Sequence, residues 1–222
     1  MLHEYIPEFN FPFLSGIFLT HAHIGHYTGL LNLGLEVLNL KKIPVYVLPK
    51  MRRFLIENSM FNQMIENENI IIKDLDTNVY INLNKYISIK PFYVPHRNEL
   101  SETVGYIIKS NNKSIIYIPD IDSWDDWNID IIDIINKFDV IIIDGTFYSK
   151  DEIKHRNIDK IPHPTILETT SIMNKQSKKI KNKIFFTHLN HTNKVLDHTS
   201  KEFKNIITSG YNILKDKQTF NL

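Results

Sequence analysis

The sequence predicts a layered α/β fold with mixed strand directions. Three observations carry that prediction. Strand-like runs alternate with helix-like runs along the 222 residues, one pair of runs is joined by a tight-turn signal, and residues able to do chemistry recur where strand-like runs end. Ile17–Thr20, a short apolar run, reads as the first strand. Thr28–Leu38 places leucines at helical spacing, Val45–Leu48 reads as a strand, and Lys50–Asn58 as a helix. Tyr86–Val94, Thr103–Lys109 and Ser114–Ile118 are β-branched and aromatic runs, hence strands. Lys109-Ser-Asn-Asn-Lys113 joins the last two as a hairpin, because asparagine tolerates left-handed backbone. Trp124–Lys137 reads as a helix capped by Asp122 or Ser123, Val140–Ile143 as a strand, Thr165–Lys175 as a helix and Ile184–Thr187 as a strand. Ser200 opens a last helix, Ser200–Thr208, with Phe203 turned inward. No repeat, low-complexity tract or Pro/Gly/Ser linker divides the chain, so residues 1–222 read as a single domain.

Composition removes several functions. The charge is balanced, with 26 basic against 25 acidic residues, so neither nucleic acid nor membrane is expected as a partner and a small-molecule substrate is. The five lysines between Lys175 and Lys183 read as a solvated helix end or turn. There is no cysteine, which excludes disulfides and thiolate ligands and fits a cytoplasmic enzyme. No apolar run reaches membrane-spanning length, and the first residues lack a signal-peptide pattern.

The chemistry lies at the strand ends. His21, His23 and His26 follow Ile17–Thr20 at the spacing H-x-H-x-x-H. Imidazole is the commonest nitrogen ligand for zinc, and side chains at i and i+2 of an extended segment share one face. His96 follows Phe92-Tyr-Val-Pro95, Asp120 and Asp122 follow Ser114–Pro119, Asp144 follows Val140–Ile143, and His188 and His191 follow Ile184–Thr187. Taken singly, an Asp at a strand end more often makes a turn or caps a helix, and a lone His96 or His163 is more often a hydrogen-bonded structural residue. Five strands each delivering a ligand-type residue shift the balance toward a metal site.

This ordered set resembles the metallo-β-lactamase superfamily, whose first motif is H-x-H-x-D-H and whose later ligands are His, Asp and His. Val94-Pro-His-Arg-Asn-Glu-Leu-Ser-Glu-Thr-Val-Gly-Tyr106, Ile118-Pro-Asp-Ile-Asp122, Asp144-Gly-Thr-Phe147 and Thr187-His-Leu-Asn-His-Thr-Asn193 are most similar to signature segments of the pyrroloquinoline-quinone (coenzyme PQQ) biosynthesis protein B family and its relatives. The resemblance implies an αββα sandwich and a zinc centre of one or two ions, with iron or manganese as alternatives. It assigns His21, His23 and His96 to one metal, and His26 and His188 to a second, bridged by Asp120. Asp120 would also orient a metal-bound hydroxide attacking an ester or phosphodiester-like bond. His163, in Ile161-Pro-His-Pro164, resembles a histidine placed near the leaving group, so Asp120 and His163 are the catalytic candidates. Arg97 is a candidate for holding an anionic substrate group, with a salt bridge to Glu99 or Glu102 as the equal alternative. His191 is a residue behind the ligands or an alternative to His188, and a further candidate for substrate contact.

Two departures qualify the resemblance. Gly25 stands where the motif has Asp, removing a carboxylate from the second metal. Only twenty residues precede His21, so the fold is expected to be N-terminally truncated: its first strands are absent, or the chain is a piece of a longer product. Met1–Glu8 reads as an internal loop. Without those strands the sheet carrying His21 has an apolar edge, which makes a homodimer one expectation. The leading reading is a metal-dependent hydrolase. An iron-dependent oxygenase in quinone-cofactor biosynthesis and a non-catalytic carrier of the cofactor or its precursor are the alternatives. Tyr148–Ile161 and Asn58–Asp74 are expected to be lids.

Overall fold

The computed structural model describes residues 14–152 and 161–222. The described residues divide into two compact units, residues 14–76 with 98–102, and residues 77–97 with 103–152 and 161–222. Met1–Glu8 and the central part of the Tyr148–Ile161 segment lie outside the described residues.

In the first unit, β1 (Ile17–Phe18), β2 (Ile43–Val47) and β3 (Ile70–Asp74) form a parallel sheet in that order. Parallel neighbours need crossovers. The first is a single helical turn, α1 (Ile24–Tyr27), with a 3₁₀ segment over Thr28–Leu33. The second is the helix pair α2 (Pro49–Glu57) and α3 (Ser59–Glu66). Ile43, Val45 and Val47 alternate inward along β2 and meet Met51 and Leu55 of α2, Phe61 and Met64 of α3, and Leu30 and Leu33 in one core.

Two expectations fail here. Thr28–Leu38 is not a long helix: it contains Gly29 and Gly34, which cost helix stability, and the backbone turns left-handed at Asn39, φ 46°. Asn58–Asp74 is not a lid. It is α3 followed by β3, with Phe61, Met64 and Ile70 buried, and the Asn58 side chain accepts the N–H of Met60 as the α3 cap.

The second unit is a seven-stranded sheet. In spatial order it runs β10 (Asn212–Ile213), β9 (Ile184–Thr187), β8 (Val140–Asp144), β7 (Ser114–Ile118), β6 (Val104–Lys109), β5 (Ser88–Tyr93), β4 (Ile81–Asn82). β7 to β10 pair in parallel, and β4 to β7 pair antiparallel. The expected hairpin is present, closed by Ser110 N–H donating to Lys113 O at 2.8 Å. The near-continuous apolar runs of β7, β8 and β9 suit central parallel strands buried on both faces. Helices α4 (Ile131–Lys137), α5 (Ile166–Ile172), α6 (Lys178–Lys181) and α7 (Lys201–Thr208) complete the unit, and α6 is the lysine-rich helix end.

The Trp124–Lys137 helix starts only at Ile131, capped by Asp130, which accepts Ile132 N–H at 2.7 Å. Neither expected cap is used. Trp124 is buried with its indole N–H donated to Thr169 Oγ1 at 2.9 Å, which fixes the preceding loop by tertiary contact instead. At the last helix, Ser200 caps α7 and Phe203 packs on the core as expected.

Thr165 and Glu168 form a reciprocal capping box at α5. Burial pushes the Glu168 carboxyl up, but bonds from Lys150 and Thr165 outweigh it and hold the group below its ordinary range. Thr165→Ala is expected to cost about 1 kcal/mol in urea unfolding. That cost should shrink as pH falls from about 4.3 through the lower folded value, because a carboxylate with depressed pKa loses its stabilising contribution there. Among the described residues, no helix is long and apolar enough to cross a membrane.

Candidate metal centre

In the first unit the chain leaves β1 with a fixed direction, since Leu19 N–H still donates to Tyr46 O at 3.2 Å. His21 follows and is 1 % exposed; its ring centroid lies 4.5 Å from that of His23 and 4.2 Å from that of His26. Ala22 N–H donates to Ser101 Oγ at 2.8 Å, pinning the backbone between the first two histidines. His23 sits in extended backbone just before α1, and His26 lies within α1. His23 Nε2 is 3.4 Å from Glu99 Oε1, while Glu102 accepts the N–H groups of Lys50 and Met51 at the start of α2. Three imidazoles this close repel one another if all are protonated, so the arrangement fits a shared cation. Gly25 is exposed, and a Cβ built there meets nothing within 4 Å.

In the second unit topology does the gathering. With β6 antiparallel to both β5 and β7, and β7, β8 and β9 parallel, the strands β5, β7, β8 and β9 all run the same way. Their C-terminal ends therefore deliver His96, Asp120, Asp144 and His188 to one edge of the sheet. The rings of His96 and His163 lie 5.4 Å apart, and those of His163 and His188 6.0 Å apart. Asp120, 2 % exposed, places Oδ1 3.2 Å from His188 Nδ1 and 3.6 Å from His163 Nδ1. Asp120, Asp144 and His163 each present one donor atom within 4.8 Å of the others.

Hydrogen bonds fix the ring states. The Thr146 hydroxyl donates to Asp144 Oδ1 at 2.7 Å, so at 2.8 Å His188 Nδ1 must be the donor to Thr146 Oγ1. His96 Nδ1 likewise donates to Asp122 Oδ1 at 2.6 Å. In the neutral form both rings then carry their lone pair on Nε2, the form that ligates a metal, with an oxygen behind each ring holding it in place. His163 differs. Burial works to depress its pKa, but the bond and charge of Asp144, with the charges of Asp120 and Asp122, hold it above the ordinary histidine value. It is built to keep a proton.

Sequence reasoning missed the support behind these groups. Asp144 is fully buried and accepts Thr146 N–H at 2.8 Å, Ile121 N–H at 3.1 Å and His163 Nδ1–H at 2.7 Å. Asn193, also buried, donates to the carbonyls of Gly145 and Thr146 and lashes the segment after β9 to that after β8. Gly145 allows the approach, because a Cβ there would stand 2.8 Å from Phe186 Cβ. The backbone at His188 is left-handed, φ 58°, an unusual conformation for a residue with a side chain. The signal for Asp144 was its strand-end position, which taken singly more often marks a turn or a helix cap. Arg97 and His191 are exposed.

A family model described as the β-lactamase superfamily domain matches residues 5–210. Coenzyme PQQ synthesis protein B of Acinetobacter baumannii (strain ACICU) is 26% identical over 144 residues, 61% of this chain and 46% of that protein. The chain thus spans less than half the length of this curated relative. Among solved structures, Zn(2+)-bound PqqB from Methylobacterium extorquens matches with a TM-score of 0.73 at 22% identity, covering 94% of this chain and 73% of that one. The metallo-β-lactamase fold protein YhfI from Bacillus subtilis matches with a TM-score of 0.62 at 17% identity, covering 96% and 79%. At these identities the structural likeness is one of fold.

Proposed function

The chain belongs to the β-lactamase superfamily domain family, and from that premise we propose that it is a cytoplasmic metal-dependent hydrolase of an ester or phosphodiester-like bond. One observation carries the reading: four like-directed strands bring His96, Asp120, Asp144 and His188 to one sheet edge beside a proton-holding His163. The motif order assigns His21, His23 and His96 to one zinc ion, with Asp120, His26 and His188 as the donors for a second. A bound zinc supplies a water of near-neutral pKa and positive charge for the developing oxyanion.

The chain's own residues do the rest. Asp120 orients the attacking water. Asp144 holds Nδ1–H of His163, so the proton of the imidazolium passed to the leaving oxygen is the one on Nε2. Asp122 and Thr146 keep the rings of His96 and His188 oriented. The zinc-loaded protein is expected to hydrolyse p-nitrophenyl acetate or bis(p-nitrophenyl) phosphate, and chelation to remove the activity. Oxygen consumption by a one-iron form, without hydrolysis, would overturn this in favour of the oxygenase reading, which similarity to a PQQ synthesis protein supports.

Gly25 decides the number of ions. It lacks the motif carboxylate, so the wild-type chain is expected to hold one tightly bound zinc. The open space around it and its place in the first turn of α1 accept a carboxylate without steric cost. Gly25→Asp should therefore raise zinc content toward two per chain by native mass spectrometry, and an unchanged content would remove Gly25 as the cause.

A further inference from the structure

The second unit carries a cavity, on one face of its sheet, that the hydrolytic reading does not use. It encloses about 310 Å³, at the lower end of the size range of small-molecule sites. Phe92, Ile107 and Ile116 form its floor, Ile134 of α4 and Phe138 just beyond that helix one wall, and Trp127 another. The rings of Phe92 and Trp127 are stacked, 5.8 Å apart with 17° between their planes.

The strand register puts cations beside this apolar slot. Lys90 pairs with Ile107 and precedes Phe92 by two residues on β5; Lys109 follows Ile107 by two on β6. Side chains two apart share a sheet face, so both lysines flank the floor on the cavity side. The two Nζ atoms sit 5.1 and 4.9 Å from the centroid of a single ring, that of Tyr80. Neither lysine forms an ion pair with another described residue. At the rim, α4 presents Asp133 and Lys137, one turn apart and of opposite sign. Two cations gathered on one ring, beside an aromatic-walled slot, leave positive charge without a counterion and apolar surface without a cover among the described residues.

We propose that this cavity binds a small aromatic carboxylate, its ring body against Trp127 and over Ile107 and Ile116, and its carboxylate toward Lys90 and Lys109. The site is separate from the proposed metal centre and does not depend on it. The test is calorimetric titration of the full chain, in the presence of a chelator, with 2-naphthoate and with the uncharged 2-naphthamide. The carboxylate should bind at one site per chain, roughly tenfold more tightly than the amide. The double variant Lys90→Gln/Lys109→Gln should bring the carboxylate to the affinity of the amide and leave the amide unchanged, which also reports that the variant is folded. Lys90→Arg/Lys109→Arg should restore the preference. Equal affinity of the two ligands, no response to the Gln pair, or binding of an acidic tryptophan-containing peptide with no binding of naphthoate would each overturn the assignment.

Discussion

His21→Ala is expected to abolish stoichiometric zinc binding and, with it, any metal-dependent hydrolysis. His21 is the most buried of the three clustered imidazoles, and the other two rings are arranged around it at 4.5 and 4.2 Å. The backbone on its C-terminal side is held by the Ala22 to Ser101 hydrogen bond, so no neighbouring side chain can slide into its place. A three-donor site that loses one donor loses the geometry a first-row ion requires. The measurement is zinc content after dialysis, with unfolding free energy in the presence and absence of zinc as a second readout. A ligand present at a hundredfold excess over its Kd stabilises the folded state by about 2.7 kcal/mol. The wild-type chain should show a zinc-dependent gain of that order, and His21→Ala should show none. Equal zinc content in the two proteins would sink the ligand assignment, whatever the activity data say.

How far the sequence could be read depended on the range of the forces involved. β7 and β9 were readable to the residue, because β-branched runs bounded by polar residues are a local signal. β4 and β10 were not, since a two-residue edge strand has no periodicity to detect. Helix α3 was hidden because Ser-Met-Phe-Asn-Gln-Met-Ile-Glu fully buries only Phe61 and Met64, with Ile65 partly packed, a pattern too sparse to separate from a loop. The same holds at the site. The donors themselves follow from strand-end position. Their supports do not: Asp122 has the local credentials of a helix cap, yet its carboxylate goes to His96, which lies 26 residues away. A charge-assisted bond to a buried ring outcompetes a solvent-exposed cap, and only the fold brings the ring there. Asp144 shows the same competition, with partners both two and 23 residues distant.

Asp144→Asn is accordingly expected to be the most destabilising single isosteric change at the sheet edge. Its Oδ1 accepts both donors of Thr146, and an amide oxygen can replace that function. Its Oδ2 accepts Ile121 N–H and His163 Nδ1–H, and an amide NH₂ there sets donor against donor. Breaking a buried charged pair with its hydrogen bonds costs about 3–5 kcal/mol, measurable by urea unfolding of the metal-free protein. The loss should depend on pH with a defined sign. In the wild type, Asp144 is a principal reason that the pKa of His163 is raised against the opposing effect of burial. A raised histidine contributes stability that is fully present below its unfolded pKa of about 6.5 and is lost as pH rises through the higher folded value. The gap between wild type and variant should therefore be widest below the unfolded histidine pKa of about 6.5 and narrow as pH rises through the higher folded value, leaving the part due to the misplaced amide. Histidine titration by NMR separates this from a merely structural role: His163 should lose its elevated pKa in the variant, while a retained elevation would assign the proton-holding function to Asp120 and Asp122 instead.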